Sequence, residues 1–359
     1  MKLLLAGGGT GGHLFPAIAL AEQLKYEEPQ SQILFVGTAR GLEASMLPEL
    51  GWPLEVIDMR GWAGLGLLKK IRVAGLLIKS LLQSRRLLRR FNPDVVVGFG
   101  GYASVPVLLA ARLMRLPIVI HEQNAWPGLA NRLLGRWASR VCLSFAEADR
   151  AFHYAATVLT GNPVRAAMEN CPSIDVTANC LLVFGGSQGA RAINRTVLGA
   201  LEHLQDWRES LTIIHQSGEA DHEEVLQSYQ SNGWPRVEVV PFIKDMAGAY
   251  ARATLVVCRA GATTLAELPA CGRPAILVPY PYAAAGHQSD NAQAMATKGA
   301  ALMIEEQHLT AERLAKMING LLHDQTSLLS MAAAAKRMAS RGAAARLLRE
   351  CRAVQQPVG

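Results

Sequence analysis

The chain contains one local pattern twice: a short apolar strand that runs into paired glycines and then into a helix. Leu3–Ala6 leads into Gly7-Gly8, and Leu181–Phe184 leads into Gly185-Gly186. Short runs that are apolar throughout are typical of strands buried on both faces of a parallel sheet, and the glycines favour a tight turn at the strand's end. The repetition therefore predicts two α/β halves, each opening on its own glycine loop.

Further strand-like and helix-like segments alternate on either side of the breakers Asn162-Pro163 and Cys171-Pro172. The predicted strands of the first half are Leu3–Ala6, Ile33–Val36, Val95–Val97 and Ile118–Ile120, with helices at Pro16–Lys25, Leu67–Arg90 and Val105–Arg115. The predicted strands of the second half are Leu181–Phe184, Thr212–His215, Val237–Val240, Leu255–Val257 and Ala275–Val278. This βαβα order is typical of doubly wound parallel sheets. We expect Rossmann-like domains over 1–162 and 163–335, and a C-terminal helix within 336–359 that packs back towards the first.

Composition narrows the class of protein. The chain has 359 residues, too many for one ordinary core, and it is 50% hydrophobic and 18% charged, which excludes a disordered chain. Its six scattered cysteines form no CxxC pair, as expected for buried thiols of a reduced cytoplasmic protein. The longest apolar stretch, 105–120, is interrupted by Arg112, Arg115 and Pro117 and is too short to span a membrane. We therefore expect a soluble or peripheral protein, and its formal net charge of +7 favours anionic partners.

The opening loop, Gly7–His13, carries five glycines and a histidine ahead of a helix. Glycines let backbone amides approach an anion, and the helix N-terminus adds partial positive charge. Gly7, Gly9 and Gly12 also match the dinucleotide-binding spacing, which requires an acidic residue at the end of the second strand to hold a ribose. That strand ends in Phe35–Thr38 without a carboxylate. The sequence therefore favours an anion-binding loop over a nicotinamide site.

The second glycine loop, Gly185–Arg191, has the same placement after a strand. Its amides and Ser187 suit a diphosphate, and Gln188 suits sugar hydroxyls. The Walker A lysine is absent, which excludes a P-loop. Two anion-binding loops in two Rossmann-like halves predict a cleft with one charged ligand on each side.

Polar segments follow other predicted strands of the first half. Gly98–Ser104 is either a binding loop or only a close-packed turn. His121–Asn124 come directly after strand Ile118–Ile120, and ligands of open α/β sheets bind at the carboxyl ends of strands, so these residues are expected to line the cleft. His121 and Glu122 do not have metal-ligand spacing.

Two segments of the second half suit a sugar nucleotide. In Arg259–Glu267, Thr264 and nearby amides could bind phosphate, whereas Glu267 is either an ordinary acid near a helix N-terminus or a ligand of both ribose hydroxyls. The amide and imidazole groups of 287–291 suit sugar hydroxyls. Asp-x-Asp occurs nowhere in the chain, so a glycosyltransferase with this sequence is expected to be independent of metal.

Residues 60–92 include no acidic residue, and lysines and arginines alternate there with leucines at helical spacing. One interpretation is a core-packed helix with a solvated basic face. A second interpretation is a helix that binds nucleic acid, but neither interleaved aromatic residues nor a binding motif supports it. The favoured interpretation is docking on an anionic membrane surface. The residues predicted to face the membrane are Leu67, Leu68, Lys69, Lys70 and Arg72.

Six motifs, in this order along residues 1 to about 330, resemble those of the MurG family of bacterial glycosyltransferases. They are Gly8–His13, Gly100–Tyr102, His121–Asn124, Gly161–Arg165, Gly185–Ala190 and Gly261–Glu267. The resemblance implies an α/β GT-B fold, with two Rossmann-like doubly wound parallel-sheet domains facing a cleft. It also implies inverting transfer of GlcNAc from UDP-GlcNAc to the C4 hydroxyl of MurNAc in undecaprenyl-pyrophosphoryl-MurNAc-pentapeptide, without a cofactor, which converts lipid I into lipid II in peptidoglycan biosynthesis.

The resemblance also implies which residues bind the substrates. Those implied for UDP-GlcNAc are Thr10, Gly11, Gly12, Asn124, Arg165, Ser187, Gln188, Ile243, Thr264, Glu267 and Gln288. Those implied for the acceptor are Gly9, Thr10, Gly101, Tyr102, His121 and Glu122. Glu267 would hold the ribose, and the backbone of Ile243 would meet uracil. The chain departs from some relatives in having His287 where they have Gln and Ala260 where they have Ser.

His13 is the candidate catalytic base, because an imidazole with a pKa near 6.5 titrates in the useful range. It is equally placed to hold the acceptor pyrophosphate. The main alternative function is another GT-B enzyme that uses UDP-GlcNAc, a glycolipid synthase or an epimerase. An alternative of another class is a scaffold that binds a nucleotide without transfer. The expected setting is peripheral, on the cytoplasmic face of the bacterial inner membrane, as a monomer or weak dimer contacting anionic phospholipid and no nucleic acid.

Overall fold

A computed structural model describes residues 1–59, 67–283 and 287–355 of the chain, with the side chains of residues 67–74 and 287 outside that description. Contacts between Cα atoms divide the chain into two units. The N-terminal unit is Met1–Ala166 with Gly342–Gly359, and the C-terminal unit is Ala167–Arg341. The boundaries expected from the sequence fall a few residues earlier in both places.

The described residues of the N-terminal unit form a seven-stranded parallel sheet in the order β3-β2-β1-β4-β5-β6-β7. Its strands are β1 (Lys2–Ala6), β2 (Gln32–Gly37), β3 (Leu54–Val56), β4 (Val95–Gly98), β5 (Ile118–Glu122), β6 (Arg140–Leu143) and β7 (Thr157–Leu159). The helices between them are α1 (Gly11–Glu27), α2 (Glu43–Glu49), α3 (Leu67–Phe91), α4 (Ser104–Leu113) and α5 (Leu129–Leu134).

The C-terminal unit, as far as it is described, forms a six-stranded parallel sheet in the order β10-β9-β8-β11-β12-β13. Its strands are β8 (Cys180–Phe184), β9 (Thr212–Gln216), β10 (Val237–Val240), β11 (Leu255–Cys258), β12 (Ala275–Leu277) and β13 (Ala301–Met303). Its helices are α6 (Ala166–Glu169), α7 (Arg191–Ala200), α8 (His222–Ser231), α9 (Met246–Arg252), α10 (Thr264–Cys271), α11 (His287–Thr297), α12 (Ala311–His323) and α13 (Gln325–Met338).

In both sheets, the first strand of the unit lies between its second and fourth strands. Leu4 of β1 is opposite Leu34 on one side and Val96 on the other. The direction of winding reverses at this point, and sheets of this kind bind ligands outside the carboxyl ends of the strands beside the reversal. The predicted doubly wound architecture is confirmed.

Helices cover both faces of the sheets, and the central strands are buried as a result. Leu3, Leu4 and Leu5 of β1 are at most 1% exposed, and Leu181 and Leu182 of β8 are fully buried. Burying one leucine side chain stabilises a fold by about 1.5–3 kcal/mol. The first strand of each unit therefore fixes the position at which the following glycine loop begins.

The last helix of the chain, α14 (Ala343–Ala353), packs against α1 of the N-terminal unit. Arg352 lies 2.6 Å from the carboxylate of Glu27 and 2.7 Å from that of Glu28. Glu28 also lies 3.1 Å from the terminal ammonium of Met1. A charged network thus joins the two ends of the chain within one unit.

Candidate active site

The first loop of the N-terminal unit lies between β1 and α1. Gly8 and Gly9 have φ angles of +151° and +88°, which glycine adopts at little cost. Thr10 is exposed and extended, and α1 begins at Gly11, so the partial positive charge of the helix N-terminus lies at this loop. The predicted binding residues Gly9 to Gly12 are therefore together at the carboxyl edge of the sheet.

A fully buried carboxylate, that of Glu43, lies beneath this loop. It accepts hydrogen bonds from the backbone N–H of Gly9 at 2.7 Å, the N–H of Thr38 at 2.9 Å and the Thr38 hydroxyl at 3.0 Å. A Cβ atom on any of three surrounding glycines would lie within 2.4 Å of the Glu43 side chain. These glycines are Gly8, Gly37 and Gly41. Their missing side chains make the space in which the carboxylate joins the β1–α1 loop to the β2–α2 connection.

Phe35–Thr38 at the end of β2 carry no carboxylate, but the side chain of Glu43 reaches this point from the following helix. The residue opens α2, and its side chain returns to Thr38, directly after β2. Because it is enclosed and accepts hydrogen bonds from protein donors, it is not placed to hold a ribose. Glu43 therefore does not supply the ribose acid that a dinucleotide site requires, and the N–H of Gly9 is directed to Glu43 rather than to a ligand.

His13 lies on the first turn of α1. Its Nδ1 is 3.2 Å from the carbonyl oxygen of Gly8 and 3.4 Å from the Thr10 hydroxyl. Donation of Nδ1–H to the Gly8 carbonyl leaves the lone pair on Nε2. Burial lowers the pKa of His13, with the Gly8 carbonyl and the charge of Glu43 acting in the opposite direction. His13 is therefore neutral at pH 7, and its Nε2 can accept a proton.

The β4–α4 loop packs against this histidine. Gly100 and Gly101 have φ angles of +95° and +78°, and a Cβ on Gly100 would lie 3.2 Å from Nε2 of His13. A Cβ on Gly101 would lie 2.7 Å from the carbonyl oxygen of Gly8. Tyr102, the next residue, is 50% exposed. The segment is thus a close-packed turn against His13, and it also carries an exposed aromatic side chain.

Strand β5 continues through His121 and Glu122, so the prediction that they follow the strand was wrong. His121 is fully buried. Its Nδ1 lies 3.1 Å from Nε2 of Gln123, and its Nε2 lies 3.1 Å from the carbonyl oxygen of Gly161. Burial lowers the pKa of His121 to about 4. The side chain is therefore a neutral link between β5 and the segment after β7.

Glu122 is also buried, and its carboxylate organises the loop after β5. It accepts hydrogen bonds from the N–H and side-chain amide of Asn124 at 2.9 and 3.1 Å, the N–H of Gly128 at 3.2 Å and the amide of Asn131 at 2.8 Å. Burial nevertheless raises its pKa. Of the predicted residues in this motif, Asn124 is the one that reaches the surface. Acceptor contacts of His121 and Glu122 stay a prediction.

Arg165, which follows β7, lies beside α1. The carbon of its guanidinium is 5.1 Å from the centroid of the Phe15 ring. Burial raises the pKa of Glu22, and the charge of Arg165 partly offsets that effect. Within the part of the chain that the structure describes, Nε and Nη2 of Arg165 have no hydrogen-bond partner.

The glycine loop of the C-terminal unit follows β8 and presses against the loop after β9. A Cβ on Gly189 would lie 2.1 Å from the carbonyl oxygen of Ser217, and one on Gly218 would lie 2.2 Å from that of Gln188. At the tip, Ser187 is partly exposed and Gln188 is exposed. The backbone of one loop thus supports the other, and the predicted polar side chains are at the surface.

A buried polar network holds the supporting loop. Asn194 donates to the carbonyl oxygen of Ser217 at 2.8 Å and to the carboxylate of Asp221 at 3.0 Å. Its side-chain oxygen lies 3.1 Å from Nε2 of His215, and Nδ1 of His215 lies 2.9 Å from the Tyr229 hydroxyl. Burial lowers the pKa of His215 to about 3, so this link is neutral.

Helix α10 starts at Thr264, at the carboxyl end of β11. One turn later Glu267 is 6% exposed, and it accepts a hydrogen bond from the Tyr250 hydroxyl at 3.2 Å. Burial and the charge of Glu267 raise the pKa of Tyr250, so the hydroxyl keeps its proton and donates it. Glu267 is thus a positioned, buried carboxylate rather than an ordinary exposed acid near a helix N-terminus.

Arg259 follows β11 and holds the connection between β12 and α11. It donates to the carbonyl oxygen of Pro279 at 3.2 Å, pairs with Glu306, and lies 5.3 Å from the centroid of the Tyr280 ring. Gln288 accepts a hydrogen bond from the N–H of Tyr280 at 2.9 Å. The sequence offered no separate signal for this role of Arg259.

The predicted donor residues of this unit all follow strand ends of its parallel sheet and so lie at one edge. They are Ser187, Gln188, Ile243, Thr264, Glu267 and Gln288. Ile243 is largely buried after β10. The side chain of His287 lies outside the described residues.

The residues predicted to face a membrane open helix α3, and their side chains lie outside the described residues. They are Leu67, Leu68, Lys69, Lys70 and Arg72. Further along α3, Ile78 and Leu82 are 64% and 50% exposed, and Lys79 lies 2.6 Å from Asp58. A helix with the length and apolar character to cross a membrane does not occur among the described residues.

Sequence and structure comparisons place the chain among known proteins. It is 62% identical over 354 residues to the UDP-N-acetylglucosamine--N-acetylmuramyl-(pentapeptide) pyrophosphoryl-undecaprenol N-acetylglucosamine transferase of Syntrophotalea carbinolica, covering 99% of both chains. It is 33% identical to the MurG of Acinetobacter baumannii, whose crystal structure matches with a TM-score of 0.73 over 98% of this chain and 99% of that one. The UDP-GlcNAc 2-epimerase of Neisseria meningitidis is 15% identical, with a TM-score of 0.67 over 98% and 100% of the chains, and shares the fold alone.

Two doubly wound parallel sheets, each presenting a glycine loop at its carboxyl edge, are the architecture of the GT-B fold. Models of the glycosyltransferase family 28 N-terminal and C-terminal domains match residues 3–143 and 180–347. The chain belongs to the MurG family of N-acetylglucosaminyltransferases within this fold class.

Proposed function

We propose that the protein transfers GlcNAc from UDP-GlcNAc to undecaprenyl-pyrophosphoryl-MurNAc-pentapeptide, converting lipid I into lipid II in peptidoglycan biosynthesis. The new bond is a β-1,4 link to the C4 hydroxyl of MurNAc, and no metal takes part. The observation that carries the proposal is the donor edge of the C-terminal sheet. There a glycine loop, the N-terminus of α10 and the buried Glu267 all lie at strand ends.

Each part of UDP-GlcNAc has a matching group at this edge. The diphosphate is bound by the amides of Gly186–Gln188, the Ser187 hydroxyl and the N-terminus of α10 at Thr264, because these donors stabilise anionic oxygens. Glu267 accepts hydrogen bonds from the ribose hydroxyls, and its bond from Tyr250 fixes its orientation. The remaining roles follow family membership: the Ile243 backbone for uracil, and Gln188 and Gln288 for GlcNAc.

The acceptor is bound at the loops around His13. The C4 hydroxyl of MurNAc attacks C1 of GlcNAc on the face opposite UDP, and its proton passes to Nε2 of His13. The C1–O bond to the β-phosphate breaks, and its electron pair leaves with UDP. Neutral His13 with its lone pair on Nε2 supports this role. Thr10 and Tyr102 contact the acceptor.

Two variants separate the donor site from the base. Glu267→Gln is expected to weaken UDP affinity in calorimetry by about tenfold, the equivalent of one charge-assisted hydrogen bond. His13→Gln is expected to keep UDP affinity and lose at least about 100-fold in kcat. The control is His153→Gln, because His153 is an exposed residue of the same unit.

Turnover of His13→Gln near the wild-type rate, with weaker acceptor affinity, would assign His13 to the acceptor pyrophosphate and the base to another group. Binding of UDP-GlcNAc without transfer, with epimerisation at C2 of the sugar, would instead identify an epimerase.

The setting proposed for this reaction is the cytoplasmic face of the inner membrane, with the protein peripheral, contacting anionic phospholipid and acting as a monomer or weak dimer. Exposed Ile78 and Leu82 on the basic helix α3 support the lipid contact. Leu82→Ser is expected to reduce sedimentation with vesicles containing phosphatidylglycerol. Leu329→Ser is the matched control, because Leu329 is also 50% exposed but lies in the other unit. Equal sedimentation of the two variants would contradict lipid contact through α3.

A further inference from the structure

A buried glutamine reaches the glycine loop of the C-terminal unit from the neighbouring strand. Gln216 is the last residue of β9 and is 3% exposed, and its backbone lies opposite Phe184, the last residue of β8. Its side-chain Nε2 donates a hydrogen bond to the carbonyl oxygen of Gly186 at 2.6 Å. The loop after β8 is therefore held by a side chain as well as by the close backbone contacts at Gly189 and Gly218.

The carbonyl of Gly186 also closes a turn within the loop. It accepts a hydrogen bond from the N–H of Gly189 at 2.9 Å, which is the bond of a β-turn with Ser187 and Gln188 as its central residues. A carbonyl oxygen has two lone pairs, so the turn and Gln216 together satisfy it. Gly186 has a φ angle of +96°, a conformation that glycine adopts at little cost. This carbonyl is therefore directed to the protein rather than to a ligand.

The orientation of this carbonyl sets the direction of the next amide. The C=O of Gly186 and the N–H of Ser187 belong to one planar trans peptide unit, in which the two bonds point in opposite directions. Since the carbonyl points to Gln216, the N–H of Ser187 points away from it, and Ser187 is partly exposed. Within the part of the chain that the structure describes, this N–H has no backbone acceptor. It is thus available to an anion at the surface of the glycine loop.

The neighbours of Gln216 hold its backbone in place. Strand β9 lies between β10 and β8, so the residue extends from the interior of the sheet and not from its edge. The next residue, Ser217, donates its N–H to the carbonyl oxygen of Val240 at 3.0 Å, and its own carbonyl accepts from Asn194 at 2.8 Å. The hydrogen bond to Gly186 therefore starts from a fixed point.

We propose that Gln216 is a positioning residue for the diphosphate of the donor, because it orients the Gly186–Ser187 peptide unit so that an N–H, and not a carbonyl, faces the ligand. An N–H stabilises an anionic oxygen, whereas a carbonyl oxygen in the same place would repel it. Without the Gln216 donor, the peptide unit can rotate and bring the carbonyl of Gly186 to the surface, where water satisfies it. The inference rests on the proposed function, in which this loop binds the diphosphate of UDP-GlcNAc.

The first test compares two ligands that differ only in the diphosphate. Gln216→Met has a side chain of similar length without a donor, and its affinity for UDP in calorimetry is expected to fall by about tenfold. Its affinity for uridine, measured by ligand-observed nuclear magnetic resonance, is expected to be unchanged, whereas a general disturbance of the fold would weaken both ligands. Unchanged affinity for UDP, or equal losses for UDP and uridine, would overturn the proposal.

Gln205→Met is the matched control for this variant. Gln205 belongs to the same unit and donates from its side-chain amide to the carbonyl oxygen of Leu201 at 2.8 Å, outside the glycine loop. The control thus loses a hydrogen bond of the same kind, and its affinity for UDP is expected to equal that of wild-type protein. A loss of UDP affinity in Gln205→Met as large as that in Gln216→Met would overturn the role of Gln216.

A second pair of variants tests the N–H of Ser187 itself and does not depend on the folding of Gln216→Met. Ser187→Ala removes the hydroxyl, whereas Ser187→Pro removes the hydroxyl and the N–H at the second position of the turn, where proline is common. Ser187→Pro is expected to bind UDP about tenfold more weakly than Ser187→Ala, with equal affinity for uridine. Equal affinity of the two variants for UDP would overturn the assignment of this N–H to the diphosphate.

These measurements separate the inference from the proposed function, since they need neither an acceptor nor sugar transfer. Wild-type protein that does not bind UDP would contradict the donor site itself. Wild-type protein that binds UDP no more tightly than Gln216→Met does would overturn the role of Gln216 and leave the donor site in place.

Discussion

Replacing Glu43 tests whether the buried carboxylate organises the loop that presents His13. In Glu43→Gln, the amide oxygen can still accept hydrogen bonds from Thr38. The amide nitrogen then faces the N–H of Gly9, so two donors meet where wild-type protein has a 2.7 Å hydrogen bond. Loss of a charge-assisted hydrogen bond costs about 2 kcal/mol. Glu43→Ala leaves the backbone N–H groups of both Gly9 and Thr38 without an acceptor, and the expected cost is about 4 kcal/mol.

Urea unfolding measures these costs, and hydrogen exchange of the peptide containing Gly9 shows whether the loop itself is loosened. The control is Glu49→Gln at the exposed end of the same helix, expected to change the free energy of unfolding by less than about 0.5 kcal/mol. The charge of Glu43 also raises the pKa of His13, so Glu43→Gln should move the acidic limb of the kcat/KM profile to lower pH. Stability and exchange in Glu43→Gln equal to those of Glu49→Gln would refute the role assigned to Glu43.

Three further results are expected. In wild-type protein, kcat/KM should fall as the pH is lowered below 6.5, because burial lowers the pKa of His13. His13→Gln should abolish this acidic limb of the profile, and a limb that persists in the variant would assign the titration to another group. His121 and His215 are neutral when folded, with pKa values of about 4 and 3 against 6.5 when unfolded, so stability is full above pH 6.5. It should then fall by about 1.4 kcal/mol per pH unit for each histidine until its folded pKa is reached, and urea midpoints that are flat between pH 6.5 and 4.5 would contradict this. Tyr250→Phe should weaken UDP binding by about fivefold through loss of the bond to Glu267, a difference of about 1 kcal/mol, whereas unchanged affinity would show that the bond does not orient the carboxylate.

The central strands β1, β4, β8 and β11 were predictable because they are apolar throughout, whereas β6 (Arg140–Leu143) and β13 (Ala301–Met303) were not predicted. β1 and β8 differ from the predicted Leu3–Ala6 and Leu181–Phe184 by a single residue at one end. The edge strands Leu54–Val56 and Thr157–Leu159 escaped prediction, since they are three residues long and half-exposed and so lack an apolar run. The GT-B fold and the MurG family, predicted from six motifs in order, are confirmed.

The site was harder to predict where its contacts join distant parts of the chain. Glu43 has the sequence pattern of an ordinary acid at a helix start, and its partner Gly9 lies on another loop. The enclosing glycines Gly37 and Gly41 are the one local signal. His121 and Glu122 look like surface ligands after a strand, but the strand continues through them, and a polar pair gives no sign of burial until the strands beside it are known.

The central claim is tested most directly by incubating the protein with UDP-GlcNAc labelled in the sugar and a short-chain lipid I analogue, in the presence of EDTA. The account predicts a product heavier by one GlcNAc residue, with a β-1,4 link by nuclear magnetic resonance and one UDP released per transfer. Absence of that product from folded protein that binds UDP-GlcNAc, or an α-linked product, would contradict it.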